Sequence, residues 1–238
     1  MDRSRRKFFK TSSSLIGSLS LGQFTFAAKV PELARVQHAT LEAAAEDEEF
    51  WQLVRQAYTS SGTMINLNNG GVSPQPRVVQ DKQHLYTQFA NESPGYYMWR
   101  VMGRERKQVR RQLAELAGCS AEEIAIVRNT TDALETVLQG IDWKAGDEVL
   151  TTDQDYPSLL HTLSMLEQRY GIQVRKISLP VPAEEEAEIL QRFEEGISDR
   201  TRAMLFCHVI NITGQILPAK SLCDLARKNG ILSIVDGA

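Results

Sequence analysis

Residues 202–238 read RAMLFCHVINITGQILPAKSLCDLARKNGILSIVDGA. The run 202–209 is strongly apolar and predicts a buried strand. Residues 219–229 carry apolar side chains at helical spacing, and Gly230 follows, the residue type that most easily ends a helix in the left-handed conformation. Residues 231–235 predict a last apolar strand, closing on Asp236. Two buried strands joined by a helix make a parallel βαβ unit. The same alternation extends upstream. Strands are predicted at 124–127, 148–152 and 173–177, and helices at 131–138, 157–170 and 184–195. The fold class is therefore α/β, a mostly parallel sheet with helices on both faces.

The chain before residue 120 reads differently. A helix is predicted over 48–58, then a short extended run at 64–67, broken by Asn68-Asn69-Gly70-Gly71. Pro74 and Pro76 introduce a helix over 76–91. A second helix covers 101–117, with Val101, Val109, Leu113 and Leu116 near one face. Ser120-Ala121-Glu122-Glu123 fits a capping box.

With 238 residues, 42% hydrophobic, 24% charged and a net charge of −3, the chain has the composition of a globular protein. That excludes a disordered tail, a collagen-like repeat and a disulfide-dense miniprotein. It also disfavours nucleic acid as a partner. The N-terminus concentrates Arg3, Arg5, Arg6, Lys7 and Lys10 ahead of a weakly apolar stretch, with small residues near Thr25-Phe26-Ala27. This has the layout of an export signal, and the Arg5-Arg6 pair resembles the twin-arginine type. The expectation is a signal over 1–27, a periplasmic or exported protein, and the twin-arginine translocase as a transient partner. The apolar run falls short of the roughly 20 residues of a membrane-spanning helix. Residues 1–27 hold +4 of formal charge, which leaves −7 on the rest of a chain whose total is −3. Cys119, Cys207 and Cys223 form no CxxC pair and no zinc spacing. Cys207 reads as a buried small hydrophobe. A Cys119–Cys223 disulfide stays open.

In parallel sheets, ligands bind beyond the carboxyl ends of the strands, so the residues just after each strand matter most. Thr130 and Thr131 follow 124–127 at a helix start. Hydroxyls, free N–H groups and the helix dipole there suit a phosphate, or Thr is an ordinary cap. Tyr156 follows 148–152 and offers a ring for stacking on a flat ligand, or for packing. Asn211 follows 202–209 and offers an amide to a ligand oxygen, or stabilises a turn. Asp236 ends the last strand, where a buried carboxylate needs a partner: a cationic nitrogen, a metal or a helix cap. No GxGxxG follows a strand and no P-loop motif occurs. Together these residues describe a site for a flat, phosphorylated heteroaromatic cofactor with a protonatable ring nitrogen. Pyridoxal 5'-phosphate fits that description.

Six stretches carry a family resemblance: residues 67–74, 97–100, 128–133, 153–158, 208–214 and 235–238. In order and spacing they resemble the class V aminotransferase group of pyridoxal-phosphate enzymes, and within it the isopenicillin N epimerase-like branch and the cysteine desulfurases. The resemblance implies the aspartate aminotransferase-like fold, fold type I. It implies phosphate binding at Thr130 and Thr131, stacking at Tyr156, Asn211 near the cofactor hydroxyl, and Asp236 on the ring nitrogen. Asn68 and Arg100 lie in segments similar to ones that approach substrate. The sequence departs from the desulfurases at Tyr156, where they carry a histidine that also moves protons. The Schiff-base lysine of the family is expected beyond Asp236 and matches no lysine in this chain; Lys220 reads as solvent-facing.

The resulting organisation is a signal over 1–27, a tether and helix over 28–63, and over 64–238 the front part of a cofactor-binding large domain. The expected activity is transamination or epimerisation of an amino acid or small amine by a homodimer. The alternatives are a desulfurase-type C–S lyase, a non-catalytic exported homologue that keeps the fold, and a generic nucleotide-binding domain.

Overall fold

A computed structural model describes residues 45–238. The expected export signal and the tether up to residue 44 lie outside the described residues. The chain divides into two compact units, one through Ile126 and one over Val127–Ala238.

In the first unit, helix α1 (Glu48–Gln56) starts on Asp47, whose carboxylate accepts the N–H groups of Glu49 and Phe50. The Asn-rich loop is stitched by its own amides: Asn66 Nδ2 donates to Asn69 Oδ1 at 2.9 Å and to the Val72 carbonyl at 2.8 Å. Helix α2 (Arg77–Glu92) follows Pro76 as expected. A single helical turn (Pro94–Tyr96) and a wide π-type turn (Tyr97–Met102) then lead into helix α3 (Gly103–Ala117). The Tyr97 ring stacks on Phe89 of α2, with centroids 4.8 Å apart. The apolar stripe Val109, Leu113 and Leu116 stays partly exposed, and the buried residue of α3 is Ala114. The Ser120 capping box forms: the Ser120 N–H donates to Glu123 Oε2 at 2.8 Å, and this bond holds the Glu123 carboxyl below its ordinary range.

One expected element is absent. Residues 124–127 are in no strand and pair with no neighbour, and Ile126 and Val127 are exposed. An apolar run with extended backbone becomes a strand only where a second strand supplies the ladder, and none of the described residues does so here.

The second unit contains helix α4 (Thr130–Gln139), β1 (Glu148–Thr152), α5 (Pro157–Tyr170), β2 (Gln173–Ile177), α6 (Glu186–Gly196), β3 (Thr201–Cys207), α7 (Ala219–Lys228) and β4 (Leu232–Asp236). The strands pair in the order β2-β1-β3-β4, all parallel. Successive side chains of a strand point to opposite faces, and the core follows that period. Val149, Ala203, Leu205 and Ile234 pack with Leu138 of α4 and Leu163 of α5. Leu150, Met204 and Phe206 pack on the other face with Phe193 of α6 and Leu222 of α7. Both faces of β1 and β3 are covered, which is why these strands read as continuous apolar runs. Gly230 follows α7 with φ 68°, as its place in the sequence predicts.

Gly196 closes α6 against the sheet. A Cβ there would meet Leu150 Cδ1 at 2.8 Å and Ile177 Cγ2 at 3.1 Å. Leu150 is fully buried and has little room to move. Gly196→Ala is expected to lower unfolding stability by about 1–3 kcal/mol in urea titration. An unchanged midpoint would show that the contact yields freely.

Candidate functional site

The strand order sets the geometry of the site. From β1 the chain crosses to β2 on one side, and β3 lies on the other, so β1 and β3 flank the point where the order reverses. The carboxyl ends of β1, β3 and β4 share one edge, with Cys207 and Asp236 directly paired.

Asp236 is 6% exposed. Its Oδ1 accepts the Ala238 N–H at 3.1 Å, and its Oδ2 accepts the Cys207 thiol at 3.6 Å. Its backbone carbonyl accepts the His208 N–H at 2.7 Å. Among the described residues, no Lys, Arg or His forms an ion pair with it. A carboxylate has about four lone-pair sites. Asp236 is therefore a buried acceptor engaged by one N–H and one weak S–H donor, with capacity for a stronger donor.

Asp155 sits at the reversal point and was not singled out by the sequence. It is 4% exposed. Its Oδ2 accepts the Thr151 hydroxyl, the Thr152 hydroxyl and the Thr152 N–H, at 2.8, 2.7 and 2.8 Å. Its Oδ1 accepts the Cys207 N–H at 2.7 Å. Asp155 thus ties the end of β1 to the end of β3. A local signal does exist: two hydroxyl residues end a strand, and an Asp follows within reach of both. Cys207 is buried, as expected, but it is more than a space-filler. Burial first, and then the nearby Asp155 charge, push its thiol far above the ordinary range. It is held as a neutral S–H donor.

Tyr156 precedes α5 and is 46% exposed, so its ring is free to meet a ligand. The Ser158 hydroxyl is buried in the first turn of α5, with no hydrogen-bond partner among the described residues. Thr130 and Thr131 open α4, and Asn129 caps it by accepting the Asp132 N–H at 2.8 Å. The N–H groups of Thr130 and Thr131 precede the first intrahelical bond. The Asp132 carboxylate beside them is paired with Arg128 at 3.9 Å. From its C-terminus α4 leads through Trp143 to the amino end of β1. Asn211 is exposed in the loop after β3, which is closed by Gly214 N–H to Ile210 carbonyl at 2.7 Å and Leu217 N–H to His208 carbonyl at 2.9 Å.

Of the candidate residues, Tyr156, Asn211 and Asp236 follow or end adjacent strands, and Thr130 and Thr131 begin a helix of the same unit. Asn68 and Arg100 belong to the other unit: Asn68 Oδ1 accepts the Gly71 N–H at 3.3 Å, and Arg100 is exposed on the π-type turn. Lys220 is exposed and paired with Asp224 at 2.6 Å. Cys119 and Cys223 are free thiols. No helix among the described residues is long and apolar enough to cross a membrane.

Residues 65–238 match the model of the family described as aminotransferase class-V. The chain belongs to that family. It is 31% identical over 188 residues to an isopenicillin N epimerase of Streptomyces clavuligerus, across 79% of this chain and 47% of that protein. It is 27% identical over 198 residues to a cysteine desulfurase of Synechococcus elongatus, across 78% of this chain and 30% of that protein. The chain thus spans half or less of the length of these relatives. Among solved structures, the fold resembles that of C-DES with glycine covalently linked to its PLP cofactor, with a TM-score of 0.66 and 23% identity over 77% of this chain and 49% of that one.

Proposed function

We propose that this chain belongs to a pyridoxal-phosphate-dependent enzyme that transaminates or epimerises an amino acid or small amine. The observation that carries the reading is Asp236, a buried carboxylate with spare acceptor capacity at the ligand-binding edge of a parallel sheet. The donor set fits the cofactor. Thr130 and Thr131 supply hydroxyls and free N–H groups for a phosphate. Tyr156 supplies an exposed ring, Asn211 an amide, and Asp236 an anionic partner for a ring nitrogen. When bound, the cofactor supplies an electron sink for the electrons left at the substrate carbon after proton loss.

The residues of the chain then divide the work. Asp236 favours a proton on the ring nitrogen by its charge, in a setting where burial strengthens the interaction. The start of α4 would hold the phosphate through the Thr130 and Thr131 hydroxyls and free N–H groups. The exposed Tyr156 ring would stack on the cofactor and exclude water. Relatives named cysteine desulfurase favour a second reading, a C–S lyase. The tyrosine at 156 weighs against it, since the resemblance places a proton-moving histidine there in desulfurases.

The reading extends to a homodimer and to export of the folded protein by the twin-arginine translocase to the periplasm. It is tested on the full-length protein. Addition of pyridoxal phosphate is expected to produce an absorbance band near the visible edge, and an amino acid is expected to change it. A protein that gives no band at saturating cofactor would sink the reading and favour a non-catalytic homologue.

A further inference from the structure

We propose that Cys207 is a positioning residue for Asp236. Its neutral thiol donates to the carboxylate and fixes its orientation, while Asp155 holds Cys207 in place from the other side. The inference rests on the role proposed for Asp236 and adds what makes that role possible.

Three observations carry it. The Cys207 Sγ lies 3.6 Å from Asp236 Oδ2, which accepts no other bond within the described residues. The Cys207 N–H is bound to Asp155 Oδ1 at 2.7 Å, so the backbone that carries the thiol cannot drift from the end of β1. Both carboxylates and the cysteine are buried, which limits competition from water for these bonds. Asp155 also stands beside the thiol and helps keep it protonated, but its Oδ2 already takes three donors and its Oδ1 one, whereas Asp236 Oδ2 takes only the thiol.

The chemistry explains why a thiol suits this place. An arginine or lysine would orient the carboxylate but neutralise it. A thiol kept protonated by burial is a weak donor. It orients Asp236 and leaves nearly all of its charge for a cationic N–H of the ligand. A serine at 207 would also orient it. An alanine would leave one oxygen without a donor.

The test uses the S–H stretching band in the infrared spectrum of the full-length protein, assigned to Cys207 by its loss in Cys207→Ser. The band is expected at lower frequency than that of the exposed Cys119, and to move up in Asp236→Asn. A Cys207 band unmoved by Asp236→Asn overturns the proposal. In cofactor titrations, Cys207→Ala is expected to weaken pyridoxal-phosphate affinity about 2- to 10-fold, and Cys207→Ser to restore most of it. Equal weakening by Ser and Ala also overturns it, because lost packing alone would explain both. The underlying reading fails separately: cofactor affinity unchanged in Asp236→Ala removes the role of Asp236 even where the S–H band shifts as expected.

Discussion

Replacing Asp155 by alanine is expected to lower unfolding stability by about 3–5 kcal/mol, a larger loss than the other single substitutions considered for stability. The side chain itself is small, and the loss does not come from packing. It comes from four donors that converge on one buried carboxylate. Alanine leaves the Thr152 and Cys207 N–H groups and two hydroxyls facing an apolar interior, where each unsatisfied group costs about 1–3 kcal/mol. Rotation of the hydroxyls recovers part of that. Asp155→Asn separates the two halves of the device. Its carbonyl oxygen can keep the Thr152 bonds, but its NH2 then faces the Cys207 N–H, donor against donor. The asparagine variant is therefore expected to lose about half as much as alanine. Urea titration of both variants checks this. An alanine variant within about 1 kcal/mol of the parent would show that the β1–β3 tie is dispensable.

Asp236→Ala is expected to leave the fold nearly intact and to reduce turnover of the full-length enzyme by about 10²–10³-fold, the scale for loss of one preorganised electrostatic partner. A carboxylate beside a ring nitrogen favours its protonated form, and a methyl group does not. Cofactor retention is expected to fall in parallel. Two measurements decide the outcome: turnover at saturating cofactor, and the cofactor that remains after dialysis. If neither changes, Asp236 has no part in the reaction. The fold is expected to survive because Asp236 ends β4, and the backbone bond from His208 to its carbonyl does not depend on the side chain.

Much of the fold was legible in the sequence because strand and helix periods are local. Glu148–Thr152, Pro157–Tyr170 and Gln173–Ile177 stand where apolar spacing and the proline placed them. The run 124–127 has the same apolar character and forms no strand, because a ladder needs a neighbour and the run does not contain one. The apolar stripe on α3 likewise shows which face is able to be buried, not that it is.

The site divides along the same line. Tyr156, Asn211 and Asp236 could be singled out from the sequence because each follows or ends a strand; Thr130 and Thr131 read the same way, after a strand at 124–127 that does not form, and keep only their place at a helix start. Asp155 stands at the same edge, one residue before Tyr156, but its partner Cys207 on β3 could not be read from the sequence. The bond from Cys207 to Asp155 spans 52 residues, and the bond from Cys207 to Asp236 spans 29. No spacing rule reaches that far; only the strand order that sets β3 between β1 and β4 brings these groups together. The sequence by itself determined the alternation of elements, the family and the chemical types available at the sheet edge. Tertiary structure alone decided which of them touch. The physical reason is that periodicity follows from a few neighbouring backbone angles, whereas a hydrogen bond between distant residues exists only after the sheet has packed.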